Sequence, residues 1–101
     1  MTDEEQKASF LAATTLAATE SVHQYFLSLE RLLFSHGFGD ETLSRSLGIV
    51  QGAFAEFMID HGATYEQIAE FLEGVAQKFR SGQIDADTES TIAAAKGKVP
   101  S

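Results

Sequence analysis

Cysteine and tryptophan are absent from this 101-residue chain, and its one proline is Pro100. Without cysteine there is no disulfide framework, no thiol nucleophile and no zinc site with thiolate ligands. Basic residues are scarce: 7 Lys and Arg stand against 15 Asp and Glu, for a net charge of −8. That balance argues against direct nucleic-acid binding, which needs a basic stripe facing the phosphates. It suits a protein partner with a basic surface, or a mimic of nucleic acid that occupies a basic groove. No apolar run approaches the ~18 residues of a membrane span, so no membrane role is expected. The chain opens on acids rather than a basic segment and an apolar stretch. No secretory signal is therefore expected, and the cytoplasm is the expected compartment.

The first third, Asp3 to His36, has neither glycine nor proline and reads as one long helix. About 34 residues would span on the order of 50 Å. Thr2, Asp3, Glu4 and Glu5 have the form of a capping box, with three acids at the positive end of the helix dipole. His36-Gly37 reads as the stop: a potential cation at the carbonyl end, then a glycine able to turn left-handed. At 100° per residue, Leu11, Ala18, Val22, Tyr25, Leu29, Leu32 and Leu33 share a sector about 120° wide, with Phe26 at its edge, and read as the core-facing stripe. Leu16, Leu27 and Phe34 fall almost opposite. This second face lies under another helix of the chain or is a surface for a partner; Glu20 and Arg31 are its candidate polar rim. Thr14, Thr15, Thr19 and Ser21 are poor helix formers, and a kink between Thr14 and Ser21 is the main threat to continuity.

Asp40 is the expected N-cap of a second helix over about Glu41 to His61. Its Leu43, Leu47, Val50, Phe54, Phe57 and Met58 recur at helix-packing intervals. Gly48 and Gly52 interrupt it, each costing roughly 1 kcal/mol relative to alanine. The pair predicts close approach of another backbone, or relief of crowding beside Phe54 or Tyr25. His61-Gly62 repeats the stop signal, and Thr64 to Gln67 forms a second capping box. A third helix to about Arg80 has Tyr65, Ile68, Leu72, Val75 and Phe79 on its seam, with Phe71 beside it. An offset of 25 residues relates the two segments (His36-Gly37 with His61-Gly62, Phe54 with Phe79), as two successive hairpin units of similar chemistry would. The stretch from Gln83 offers a short helix capped by Asp85 or Asp87, docking through Ile84 and Ile92 over the second face of helix one. It stops at Gly97, with Val99 and Pro100 in a frayed end.

The predicted fold is all-α: a single domain over 1–101, built as an antiparallel three-helix bundle with a long first helix (1–37), helix two (40–62), helix three (64–82) and a weak short fourth helix or tail (83–101). Helix one is too long for its partners, and a two-fold homodimer would cover the remainder.

Several constellations bear on chemistry. Glu20 and His23 have the Glu-x-x-His spacing of carboxylate-bridged di-iron bundles, but such a site needs a second motif and two further Glu. A metal-binding bundle is therefore an alternative, with a solvated helix face as the ordinary explanation. Asp85, Asp87 and Glu89 open like a calcium loop, but Ser90 stands where glycine is wanted and Lys96 where the bidentate Glu should be. Residues 64–80 have the cadence of a degenerate helix-turn-helix. Gly74 comes one position late, Gln77, Lys78 and Arg80 are the candidate DNA contacts, and Glu66, Glu70 and Glu73 would repel phosphate. A DNA-associated regulator is thus a second alternative. The three histidines pair with no evident serine, and Gly37-Phe38-Gly39 follows no strand. Neither a catalytic site nor a cofactor site is expected. The function expected is a small acidic adaptor or inhibitor acting by protein–protein binding; phage or mobile-element proteins that block a host nucleic-acid machine fit this profile, and so do secretion-type chaperones.

Overall fold

Thr2 sets the start of the first helix: its Oγ1 accepts from the Glu5 N–H at 3.2 Å, and Asp3, Glu4 and Glu5 occupy the first turn. A computed structural model describes residues 2–97. Among these residues the chain is all-α, with four helices and no strands: α1 Asp3–Ser35, α2 Asp40–Asp60, α3 Tyr65–Ser81 and α4 Gln83–Ala95. The expected fraying at Val99 and Pro100 lies outside the described residues.

The helix α1 is unbroken through Thr14 to Ser21, and the expected kink is absent. The hydroxyls there turn inward on the helix itself. Thr15 donates to the Leu11 carbonyl at 2.8 Å, Thr19 to that of Thr15 at 2.9 Å, and Ser21 to that of Ala17 at 3.0 Å. Each hydroxyl is satisfied one turn back without displacing a backbone bond.

Both histidine–glycine stops form as the sequence predicts. Gly37 has φ 87° and Gly62 has φ 91°, the left-handed region glycine enters without a Cβ penalty. Phe38 N–H reaches the Leu33 carbonyl at 3.0 Å and Gly37 N–H that of Phe34 at 3.1 Å. Ala63 and Gly62 repeat the pattern on Met58 (3.0 Å) and Ile59 (2.9 Å). These are paired Schellman closures. Each histidine adds its ring: His36 Nδ1 lies 2.9 Å from the Leu32 carbonyl and His61 Nδ1 2.9 Å from that of Phe57. A carbonyl only accepts, so Nδ1 carries the proton in both. The second capping box closes reciprocally, Thr64 N–H to Gln67 Oε1 at 2.9 Å and Gln67 N–H to Thr64 Oγ1 at 3.1 Å. At α2 the expectation is corrected by one position. Gly39 is the N-cap and Asp40 is already helical, because Leu43 N–H bonds the Gly39 carbonyl at 3.1 Å.

The chain divides into two compact units. One combines α1 up to Gln24 with the chain from Lys78 onward. In it Ala12 is buried, and Ser9, Leu16, Ile84 and the run Ala93 to Ala95 are half-buried. Ser9 Oγ donates to the Ala95 carbonyl at 3.4 Å. The fourth helix presents alanines, whereas Ile92, expected to dock, stays exposed.

The second unit is Tyr25–Gln77. Ile68 is its buried centre. Leu43, Leu47, Val50, Phe54 and Met58 of α2 are half-buried, as their spacing predicts, but Phe57 is exposed. On α3 the expected seam is only partly used: Val75 is half-buried, while Tyr65 and Leu72 are exposed. Phe71, placed beside the seam, meets Phe54 with ring centroids 5.5 Å apart.

The largest departure from the sequence reading is on α1. The stripe expected to face the core is mostly open: Leu11 is 67% exposed, Val22 51%, Tyr25 56% and Leu32 60%. On the other side Ala12 is buried and Leu16 and Leu27 are half-buried, as are Phe26, Leu29 and Leu33 toward the C-terminal end of the expected stripe. Both faces are apolar, and periodicity locates stripes without saying which one the chain's own helices cover.

Candidate interaction surface

The five residues read as a partner surface fall in different surroundings. In the first unit, Leu16 is half-buried and Glu20 is exposed, its Oε1 accepting from Gln24 Nε2 at 3.1 Å. In the second, Leu27 is half-buried, Arg31 is exposed and Phe34 is 42% exposed. Phe34 therefore offers the largest open apolar contact of the set, with Glu20 and Arg31 as exposed charges.

More apolar surface is open elsewhere. Ile49 and Phe57 of α2 and Tyr65 and Phe71 of α3 are exposed in the second unit, and Phe10 and Phe79 in the first. Single exposed apolar residues are ordinary. Here they are large and recur on every long helix, while only Ala12 and Ile68 are buried among the described residues.

The glycine pair of α2 does not meet what the sequence predicts. A Cβ built at Gly48 or Gly52 has no atom within 4 Å beyond its own helix backbone. Among the described residues no other backbone comes within 4 Å of such a Cβ, and neither Phe54 nor Tyr25 crowds the pair.

Sequence reasoning missed one polar cluster, at the junction of α3 and α4. Asp87 Oδ2 accepts from Lys78 Nζ at 3.1 Å and Oδ1 from Gln83 Nε2 at 2.9 Å. The Gln83 amide, then the Lys78 ammonium, holds the Asp87 carboxyl below its usual value of 3.8. The i, i+4 spacing of Gln83 and Asp87 was the available signal. The acids of the calcium-like opening are thus helical residues of α4, and Asp87 is engaged by side chains of the chain itself.

Among the described residues no group of three or more His, Asp or Glu is placed to hold a metal ion, and Glu20 is turned to Gln24 rather than to a second carboxylate. Likewise, no helix among them is long and apolar enough to cross a membrane. The segment with helix-turn-helix cadence is one continuous helix: α3 passes through Glu73 and Gly74, where that motif must turn. Lys78 is held by Asp87 instead of standing free. Comparison with family models, with curated proteins and with solved structures finds no match to this chain.

Proposed function

We propose that this chain is a non-enzymatic binding protein, an adaptor or inhibitor that engages another protein through apolar helix faces rimmed by acids. The observation that carries the reading is the imbalance between open and buried apolar side chains: Phe34, Ile49, Phe57, Tyr65 and Phe71 are open around a core in which, among the described residues of that unit, Ile68 alone is buried. Helix faces that remain uncovered are the usual means by which such proteins grip a partner. The net charge of −8 selects a partner with a basic surface, because like-charged proteins are repelled and oppositely charged ones are steered in. The architecture proposed for this role is an antiparallel arrangement of α1, α2 and α3, which the four-residue connections 36–39 and 61–64 favour, with α4 as a short addition.

The test is affinity capture with wild type and Phe34→Asp side by side, with helicity checked by circular dichroism. A stoichiometric basic partner should be held by the wild type, released by salt, and lost from the variant while helicity is kept. Capture of no stoichiometric partner, or equal capture by both proteins, would refute the role assigned to this face.

A further inference from the structure

Helix α3 breaks a local rule of helix stability with no return inside the chain. Glu66, Glu70 and Glu73 stand four and three residues apart, so they are neighbours along one face, and all three are exposed. Like charges at these spacings repel and destabilise a helix. Glu66 lies in the first turn, where the helix dipole favours an acid; Glu70 and Glu73 lie beyond it. Among the described residues the ion pairs are Glu41 with Arg45 and Asp87 with Lys78. None of them reaches the three acids, and Lys78, the first base that follows them in α3, is the one taken by Asp87.

Beside the acids runs an apolar row. At about 100° per residue, Tyr65, Ala69 and Leu72 fall within about 60° of one another and about 100° from the acids. Tyr65 is 78% exposed and Leu72 44%, and Ala69 is exposed as well. The row borders the face that holds buried Ile68 and half-buried Val75. The helix thus carries three parallel strips: one covered, one apolar and open, one acidic and open. The two open strips lie on a single helix within the second unit. They are also held rigidly, by the reciprocal cap of Thr64 and Gln67 and by Phe71 against Phe54, so a partner loses little in ordering them.

We infer that these two strips are the docking ridge for a basic amphipathic helix of a foreign protein, which lays an apolar row on Tyr65, Ala69 and Leu72 and a row of lysines or arginines along Glu66, Glu70 and Glu73. This deepens the binding role proposed above and rests on it, adding the partner's secondary structure and its place on α3. Charge complementarity selects the sign. Cations beside the three acids would relieve a repulsion that the described residues leave standing, and a second copy of this chain, itself at −8, is a poor source of them. Spacing selects the helix. The first and last acids are seven residues apart, about 10 Å along the axis. A helix laid alongside at a shallow angle presents its own one-per-turn row at that interval. Three same-side residues of a strand would span about 13 Å and fall out of step.

The test uses the full chain and a synthetic peptide of leucine and lysine in helical order. A peptide of the same composition in strict alternation, which suits a strand, controls for charge without the helix. Titration followed by amide chemical shifts should show the helical-order peptide binding, with the largest changes over residues 65–73. Combining Glu66→Gln, Glu70→Gln and Glu73→Gln should weaken binding about tenfold, as the loss of three exposed ion pairs implies. Tyr65→Ala should weaken it by a similar factor. Combining Glu56→Gln, Asp60→Asn and Glu89→Gln removes as much charge elsewhere and should change affinity less than about twofold, because salt screens distant charges. Every substituted side chain is exposed, so helicity should be retained throughout, as circular dichroism would verify. No binding, shifts centred away from α3, equal affinity for the alternating peptide, or equal weakening by the two triple variants would each overturn the assignment. If one of these occurs while a basic partner is still captured through Phe34, the binding role stands and α3 is removed from it. If the peptide binds at α3 as expected while no partner is captured, the role given to the Phe34 face fails and the α3 ridge stands.

Discussion

Replacing Gly48 and Gly52 with alanine should stabilise the protein. Both lie inside α2, where glycine costs about 0.8–1.0 kcal/mol relative to alanine through backbone entropy and exposure. The gain is realised only where the new methyl finds room, and among the described residues no atom beyond the helix backbone and the two chain neighbours lies within 4 Å of a Cβ at either position. The two methyls sit one turn apart and are too small to conflict, so the increments add to about 2 kcal/mol. For a domain of this size that raises the melting temperature by about 8–16 °C. Thermal and urea unfolding followed by circular dichroism, at matched protein concentration, would measure it. Gly74 in α3 is a control of the same class, expected to give about half the effect. Destabilisation by the double variant, with Gly74→Ala behaving as expected, would refute the reasoning. It would mean that another backbone does press on the pair, as the sequence alone suggested, and that this backbone belongs to a second molecule.

Other perturbations probe the core, a cap and the α3–α4 junction. Ile68→Ala should cost about 2–5 kcal/mol, the largest single loss in the second unit, because Ile68 is its buried side chain; an effect under about 1 kcal/mol in urea unfolding would mean that this unit has no organised core. Thr64→Ala should cost about 1 kcal/mol by orphaning the Gln67 N–H, and hydrogen exchange should show fraying confined to the start of α3. Asp87 has a depressed carboxyl, so its contribution is present above the unfolded value of 3.8 and is lost as pH falls through the lower folded value. The stability difference between wild type and Asp87→Asn should therefore narrow from about pH 5 downward; a gap that widens on acidification would contradict the assignment.

Helix boundaries were legible in the sequence because they are set by short-range chemistry. Thr2, Thr64 and Gln67 cap through hydrogen bonds three residues away, and the His36-Gly37 and His61-Gly62 pairs close helices through bonds within one turn. Two starts were misplaced, Asp40 for Gly39 at α2 and Asp85 or Asp87 for Gly82 at α4, both where a side-chain cap was assumed and the backbone does without one. The threonines of α1 misled in the opposite sense. Their intrinsic propensity is poor, but each hydroxyl has a carbonyl one turn back, and the helix runs on. Of the candidate site, the residue types and their common face were legible; their degree of cover was not, since Leu16 and Leu27 are half-buried while Phe34 on the same face is exposed, a difference that periodicity does not carry.

Cover is the quantity that hydropathy cannot supply. On α1 Leu11, Val22, Tyr25 and Leu32 are open, while Leu29 and Leu33 of the same stripe and Leu16 and Leu27 of the opposite set are half-buried. A regular stripe left partly open fits a division of labour between intramolecular and intermolecular burial. Helices of the same chain are held close by short connections, so they can use an irregular face; association between separate chains starts from a larger entropic cost and demands regular, repeating complementarity. If that division holds, stability and assembly are linked. The protein's resistance to unfolding should rise with its own concentration, because a second copy binds the folded helix and not the unfolded chain. It should lose that dependence, and only that, in Leu11→Glu. A concentration-independent melting temperature in the wild type, measured over two decades, would separate the open stripe of α1 from any role in self-association.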